Sequence, residues 1–228
     1  FESNYTRDLF VSKYKQKKEK SSVLHRGHHE FFQPVDTYHS TIFNENDYKD
    51  YILIVSHLYP YKNIELLIEA YFHLRLYERD LCVLIAGSIS DEKYYNKLKL
   101  MVDQYGISKY VIFLGRVERE DLRELYSQCK IFVFTSPFEN FAATLVEAMS
   151  CAAPIITTNT TAMPEACGNA ALYFSPDSAQ ELSACIMIFL NDEKTRLMYK
   201  EMALLKSKEY EIYSVVDKKI NQLLKKLL

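Results

Sequence analysis

The apolar positions of this chain change period along its length. Over residues 1–20 the sequence is polar and basic, with Leu9, Phe10 and Tyr14 spaced as one weak helical face, the pattern of a solvated helix in preference to a polyanion-binding arm. Residues 33–50 are rich in Asn, Asp and Thr and contain Pro34, the composition of a linker, so a folded domain is expected from about Tyr51. Six short β-rich runs follow: YILIVS from 51, CVLIAG from 82, VIFLG from 111, IFVFTS from 131, PIITT from 154 and ALYF from 171. Helical periodicity fills the gaps at about 63–78, 91–105, 119–128 and 143–151, and takes over beyond Pro176 at about 178–190 and 194–208. The chain closes on an amphipathic stretch from Ser214 to Leu228. There Lys218, Lys219, Lys225 and Lys226 lie among Val215, Val216, Ile220, Leu223, Leu224 and Leu227, and docking on a core is preferred to lying on a membrane.

Strands that are apolar without interruption, each followed by one helix, need crossover connections and cover on both faces. They predict an α/β fold, a Rossmann-like parallel sheet flanked by helices, over residues 51–210, with 1–50 leading in and 211–228 forming a terminal helix. A hydrophobic content of 48% can fill such a core. The net charge of −2, from 28 basic and 30 acidic side chains, supplies no global positive field for nucleic acid, so any phosphate chemistry must be local. The five cysteines (Cys82, Cys129, Cys151, Cys167, Cys185) are odd in number, lie mostly in apolar runs and form no C-x-x-C pair, so they read as reduced core residues. The sequons at Asn4 and Asn159 read as chance. No apolar run approaches the ~18 residues of a membrane span and no signal peptide is seen, which favours a cytoplasmic location. The chain opens on Phe1, not Met, which points to a beginning upstream.

In an open parallel sheet, ligands bind beyond the carboxyl ends of the strands, where helix amino-termini present free N–H groups and the positive end of the helix dipole. The richest such junction is SPFENFAATLVEAMSCAAPIITTN, residues 136–159. Glu139 follows the strand directly, and Glu147 falls about one turn into the next helix, about 6 Å from its start. The small Ala142 and Ala143 leave room for a ligand to reach the backbone, and a carboxylate can accept two hydrogen bonds from vicinal hydroxyls. The bland alternative is that Glu139 caps the helix and Glu147 is a surface residue.

This segment resembles the Glu, seven residues, Glu signature of the family-four retaining glycosyltransferases, which have the GT-B fold of two Rossmann-like domains. The Ala-Met-small-Cys run that follows the signature is matched by Ala148, Met149, Ser150, Cys151, Ala152, Ala153 and Pro154. VSHLYPYKN (55–63), LIAGS (84–88), FLGRV (113–117) and MPEACGNAALYFSPD (163–177) fall in the family's order, and residues 5–29 resemble the helix and β-turn that end the preceding domain. The resemblance implies that this chain is the C-terminal, donor-binding half of such an enzyme. The acceptor (a glycan, a lipid-linked sugar or a small molecule) would then be held by an N-terminal domain, which could also attach the enzyme to the inner membrane face.

By resemblance, Glu147 holds the ribose of a nucleoside-diphosphate sugar and Glu139 contacts the transferred sugar. Backbone N–H groups of Phe141, Ala142, Ala143 and Thr144, with the Thr144 hydroxyl, bind sugar and phosphate oxygens, and Lys62 neutralises the departing diphosphate. The loop bearing Ser56 and His57 faces the same phosphates. No metal or cofactor is then required. Gly115 and Arg116 lie against the nucleobase, where Arg116 either stacks or is a surface cation.

Several positions depart from the family. Its usual Arg partner to the Lys falls at His57, which either offers a pH-dependent charge or serves in capping or packing. Asn140, Ala142 and Ala152 stand where Gly is frequent. The Ala142 methyl narrows the pocket, and a left-handed Ala152 costs on the order of 1 kcal/mol. His25, His28 and His29 lack a carboxylate or Cys at ligand spacing and read as the edge of the turn around Gly27, not as a metal site. Two other functions stay open: a non-catalytic sugar-nucleotide-binding subunit, and a glycoside hydrolase using Glu139 and Glu147 as acid and base.

Overall fold

The computed structural model describes residues 1–28, 30–36 and 50–227. Six parallel strands form one sheet: β1 (Tyr51–Val55), β2 (Cys82–Ala86), β3 (Val111–Gly115), β4 (Ile131–Phe134), β5 (Ile155–Thr158) and β6 (Ala171–Phe174). Their order is β3-β2-β1-β4-β5-β6, the doubly wound Rossmann arrangement. All six expected strands are present.

The uninterrupted apolar runs are explained by two buried layers. Leu53, Val55, Leu84, Phe132, Phe134 and Ile155 face one core, whereas Ile52, Ile54, Val83, Ile131, Val133 and Ile156 face the other. Alternate side chains thus enter opposite cores, so no strand position can be polar without cost. The first core is covered by helices α4 (Arg119–Gln128), α5 (Ala143–Ser150), α6 (Met163–Cys167) and α8 (Glu193–Ser207). The second is covered by α2 (Glu65–His73), α3 (Glu92–Gln104) and α7 (Ala179–Asn191). All five cysteines are free and buried.

Ahead of the sheet, α1 (Asn4–Tyr14) is capped by Ser3, whose side chain accepts from the Thr6 N–H, and buries none of its residues. It is anchored at its amino-terminus by Glu165 of α6, which accepts from the backbone N–H groups of Asn4 at 2.8 Å and Tyr5 at 3.1 Å. The His25 ring joins the same carboxylate at 2.7 Å. Burial opposes the charge on Glu165, but these donors outweigh it and hold the carboxyl below the usual carboxylate range. His25 is thereby placed in a carboxylate contact, and no group of three metal-ligating side chains occurs among the described residues; His29 lies outside them.

The first residues of the expected linker lie on α4. Gln128 donates to the Val35 carbonyl at 2.7 Å, and Phe32 is buried against Tyr126. Residues 37–49 lie outside the described residues.

At the carboxyl end a π-helical turn (Ile212–Val216) precedes the amphipathic helix α9 (Asp217–Leu227), on which Ile220 and Leu224 are exposed. Gly27 approaches the π turn so closely that an added Cβ would meet Ile212 Cγ1 at 2.5 Å. Beyond it, Asp217 and Ile220 of α9 line a surface groove with Phe1, Glu2, Leu24 and Gly27. No described helix is long and apolar enough to cross a membrane.

Candidate functional site

The strand order reverses between β1 and β4, and the crevice beyond their carboxyl ends is where an open sheet of this type takes a ligand. A cavity of about 320 Å³ lies there, lined by Ser56 and His57 after β1, Gly87 and Ser88 after β2, Arg116 and Val117 after β3, Phe134 of β4, Lys62 and Thr144. Of the residues expected in the site, Ser56, His57, Lys62, Arg116 and Thr144 are therefore brought together.

Lys62 closes a 3₁₀ turn (Pro60–Lys62), and the left-handed Asn63 that follows turns the chain into α2. Its carbonyl accepts from the Thr135 hydroxyl at 2.7 Å, which ties the turn to the end of β4. The ammonium lies 4.7 Å from the Tyr61 ring centroid and donates to Glu139 Oε1 at 2.5 Å. Both side chains are mostly buried, with 11% and 17% of their surface exposed. The cation expected at the phosphates and the carboxylate expected at the sugar thus form a single pair.

The amino-terminus of α5 carries no side-chain cap, because its N-cap is Ala142. Glu139 therefore does not cap this helix, and the N–H groups of its first turn meet no side-chain acceptor there. Thr144 brings this positive end to the cavity wall. Ala142 itself is buried, and the Phe141 ring turns away to pack on His25 and Tyr210, both at 5.5 Å. Only the backbone of Phe141 is left to serve a ligand.

Glu147 stands one turn into α5, half-buried against α4, where the Tyr126 hydroxyl donates to Oε2 at 3.4 Å. Burial pushes its carboxyl above the usual range, against the opposing pull of Tyr126, Arg119 and Arg26. It is not an ordinary surface residue, yet it borders α4 and is not among the residues lining the cavity.

His57 is exposed, and its Nδ1 lies 2.6 Å from Ser88 Oγ, so the ring is oriented across two strand ends. Gly87 permits this approach: at φ +148°, an added Cβ would stand 1.8 Å from the Ser56 carbonyl oxygen. Gly115, at φ +68°, turns the chain at the end of β3, and the exposed Arg116 reaches Glu118 at 3.8 Å. Sequence reasoning missed Ser88 and Thr135, which hold His57 and the Lys62 turn; isolated hydroxyls have no spacing signature.

The six-stranded parallel sheet and its flanking helices are those of a Rossmann-like domain of the GT-B type. The model of the family described as "Glycosyl transferases group 1" matches residues 37–205, and the chain belongs to that family. It is 30% identical to the O-antigen chain mannosyltransferase B of Escherichia coli over 76% of this chain and 45% of that protein. It is 35% identical to the Escherichia coli serotype-specific mannosyltransferase WbdA over 71% of this chain and 20% of that protein. This chain thus spans less than half the length of both relatives. Anabaena Alr3699/HepE, solved in complex with UDP, superposes with a TM-score of 0.86 at 20% identity, covering 99% of this chain and 62% of its own.

Proposed function

We propose that this chain is the donor-binding half of a retaining glycosyltransferase that moves a sugar from a nucleoside diphosphate to an acceptor held mainly by the rest of the protein. The observation that carries it is the mostly buried Lys62–Glu139 pair, set beside a cavity that faces the uncapped amino-terminus of α5. Phosphate oxygens are suited to the Lys62 ammonium, the His57 ring and the first N–H groups of α5. Glu139 serves the sugar and Glu147 the ribose hydroxyls. Because Lys62 pairs with Glu139, an arriving diphosphate shares the cation, and the loss of that charge to the leaving group would free Glu139 toward the sugar. A fixed cation and a helix dipole meet the charge that develops on the departing diphosphate, so no step is routed through a metal. The mannosyltransferase names of two relatives favour a mannosyl donor.

The test is calorimetry of the full-length protein with GDP-mannose, UDP-glucose and ADP-glucose, repeated for Lys62→Ala and Glu147→Gln. Selective binding of one nucleotide, weakened by both substitutions, is the expected result. In turnover, Lys62→Ala should lose about 10²–10³ in rate. A folded protein that binds none of the three overturns the reading.

A further inference from the structure

We propose that Thr161 is a positioning residue for sugar transfer: its hydroxyl, presented by a left-handed backbone, sets Glu139 against Lys62. The inference rests on the donor-site reading above.

Glu139 lies on the loop between β4 and α5, and that loop is pinned by hydroxyls from the last residue of β5 and from the loop that follows it. Thr158 Oγ1 donates to the Ser136 carbonyl at 2.8 Å, and Thr160 Oγ1 donates to the Pro137 carbonyl at 2.8 Å. The series ends at Thr161, whose Oγ1 accepts the Glu139 N–H at 3.2 Å. From the other side, Thr135 holds the Lys62 carbonyl. Each member of the ion pair is thus fixed through its backbone by one threonine hydroxyl.

The backbone of Thr161 shows why this contact is more than packing. Its φ is +50°, a region that a β-branched residue rarely occupies and that a surrounding structure must impose. Thr158 and Thr160 already hold Ser136 and Pro137, so Thr161 adds a bond only where the loop reaches Glu139. The Thr161 hydroxyl also leans on the fully buried Met163 Sδ at 3.6 Å, which gives it a rigid base in the core. Small displacements of a group at the reacting centre are costly, so a residue that fixes the Glu139 backbone should appear in turnover before it appears in nucleotide affinity.

The experiment uses the full-length protein and compares Thr161→Val, Thr161→Ser, Thr161→Gly and Glu139→Gln. It measures Kd for GDP and UDP, release of nucleotide from GDP-mannose and UDP-glucose, and melting temperature. Thr161→Val should lower turnover about 10-fold while nucleotide Kd stays within about twofold. Thr161→Ser should recover the wild-type rate. Thr161→Gly, which relieves the strained backbone, should show the same loss of turnover without a lower melting temperature. The proposal is overturned if Glu139→Gln reduces turnover but the Val and Gly variants do not. It is equally overturned if Thr161→Val weakens nucleotide binding in proportion to turnover and Ser gives no recovery. Wild-type turnover in Glu139→Gln would instead overturn the role given to Glu139 in the donor-site reading itself.

Discussion

Burial between α4 and α5 raises the Glu147 carboxyl, so the unfolded chain ionises this group more readily than the folded protein does. The stabilisation tied to its protonated form is fully present below the ordinary glutamate value of 4.5 and is lost as pH rises through the raised folded value. At neutral pH the folded protein therefore carries a carboxylate that works against it. Glu147→Gln should melt at a higher temperature than wild type near neutral pH, with the gap closing as the buffer is made acidic. The same substitution should weaken nucleotide binding, and a variant that binds normally would remove Glu147 from the ribose. The position of Glu147 was legible from its spacing after Glu139, but its environment was not, because Tyr126 comes from a different helix.

Two elements near the site are held in ways their local sequence only partly announces. Ala152, after α5, adopts φ +56°, the left-handed state anticipated from its place after the helix. Ala152→Gly should stabilise the protein by about 0.5–1 kcal/mol in urea unfolding, since relief of the Cβ clash exceeds the added entropy of the unfolded chain. The five-residue α6 was not anticipated, being too short to show a period, yet it supplies Glu165. That carboxyl is held low, so its stabilising contribution is present above 4.5 and is lost as pH falls through the lowered folded value. Glu165→Gln should speed amide exchange across Asn4–Tyr14 at neutral pH and leave the β1–β4 strands protected.

At the scale of the whole molecule, the crevice is lined by the ends of four strands, the Lys62 turn and α5, and the exposed Leu9, Phe10, Tyr14, Ile220 and Leu224 give α1 and α9 apolar side chains in solvent. The donor-binding reading predicts that this chain alone binds a sugar nucleotide but does not transfer the sugar, whereas the full-length protein does both. Parallel calorimetry and acceptor-glycosylation assays check this, and robust transfer by the isolated chain would show that its own surface completes the site.

The amino-acid order alone determined the six strands, four of the five helices between them and the junction that carries Glu139 and Glu147. Each follows from local period, residue size or short spacing. Tertiary structure decided the strand order, the split into two cores, the Lys62–Glu139 pair across 77 residues and the left-handed Thr161 behind it. These depend on which faces pack and which loop ends meet at the switch point, and no local pattern encodes such long-range pairings. The carboxyl end marks the same boundary: its amphipathic pattern was readable, but the π-helical turn ahead of α9 was not.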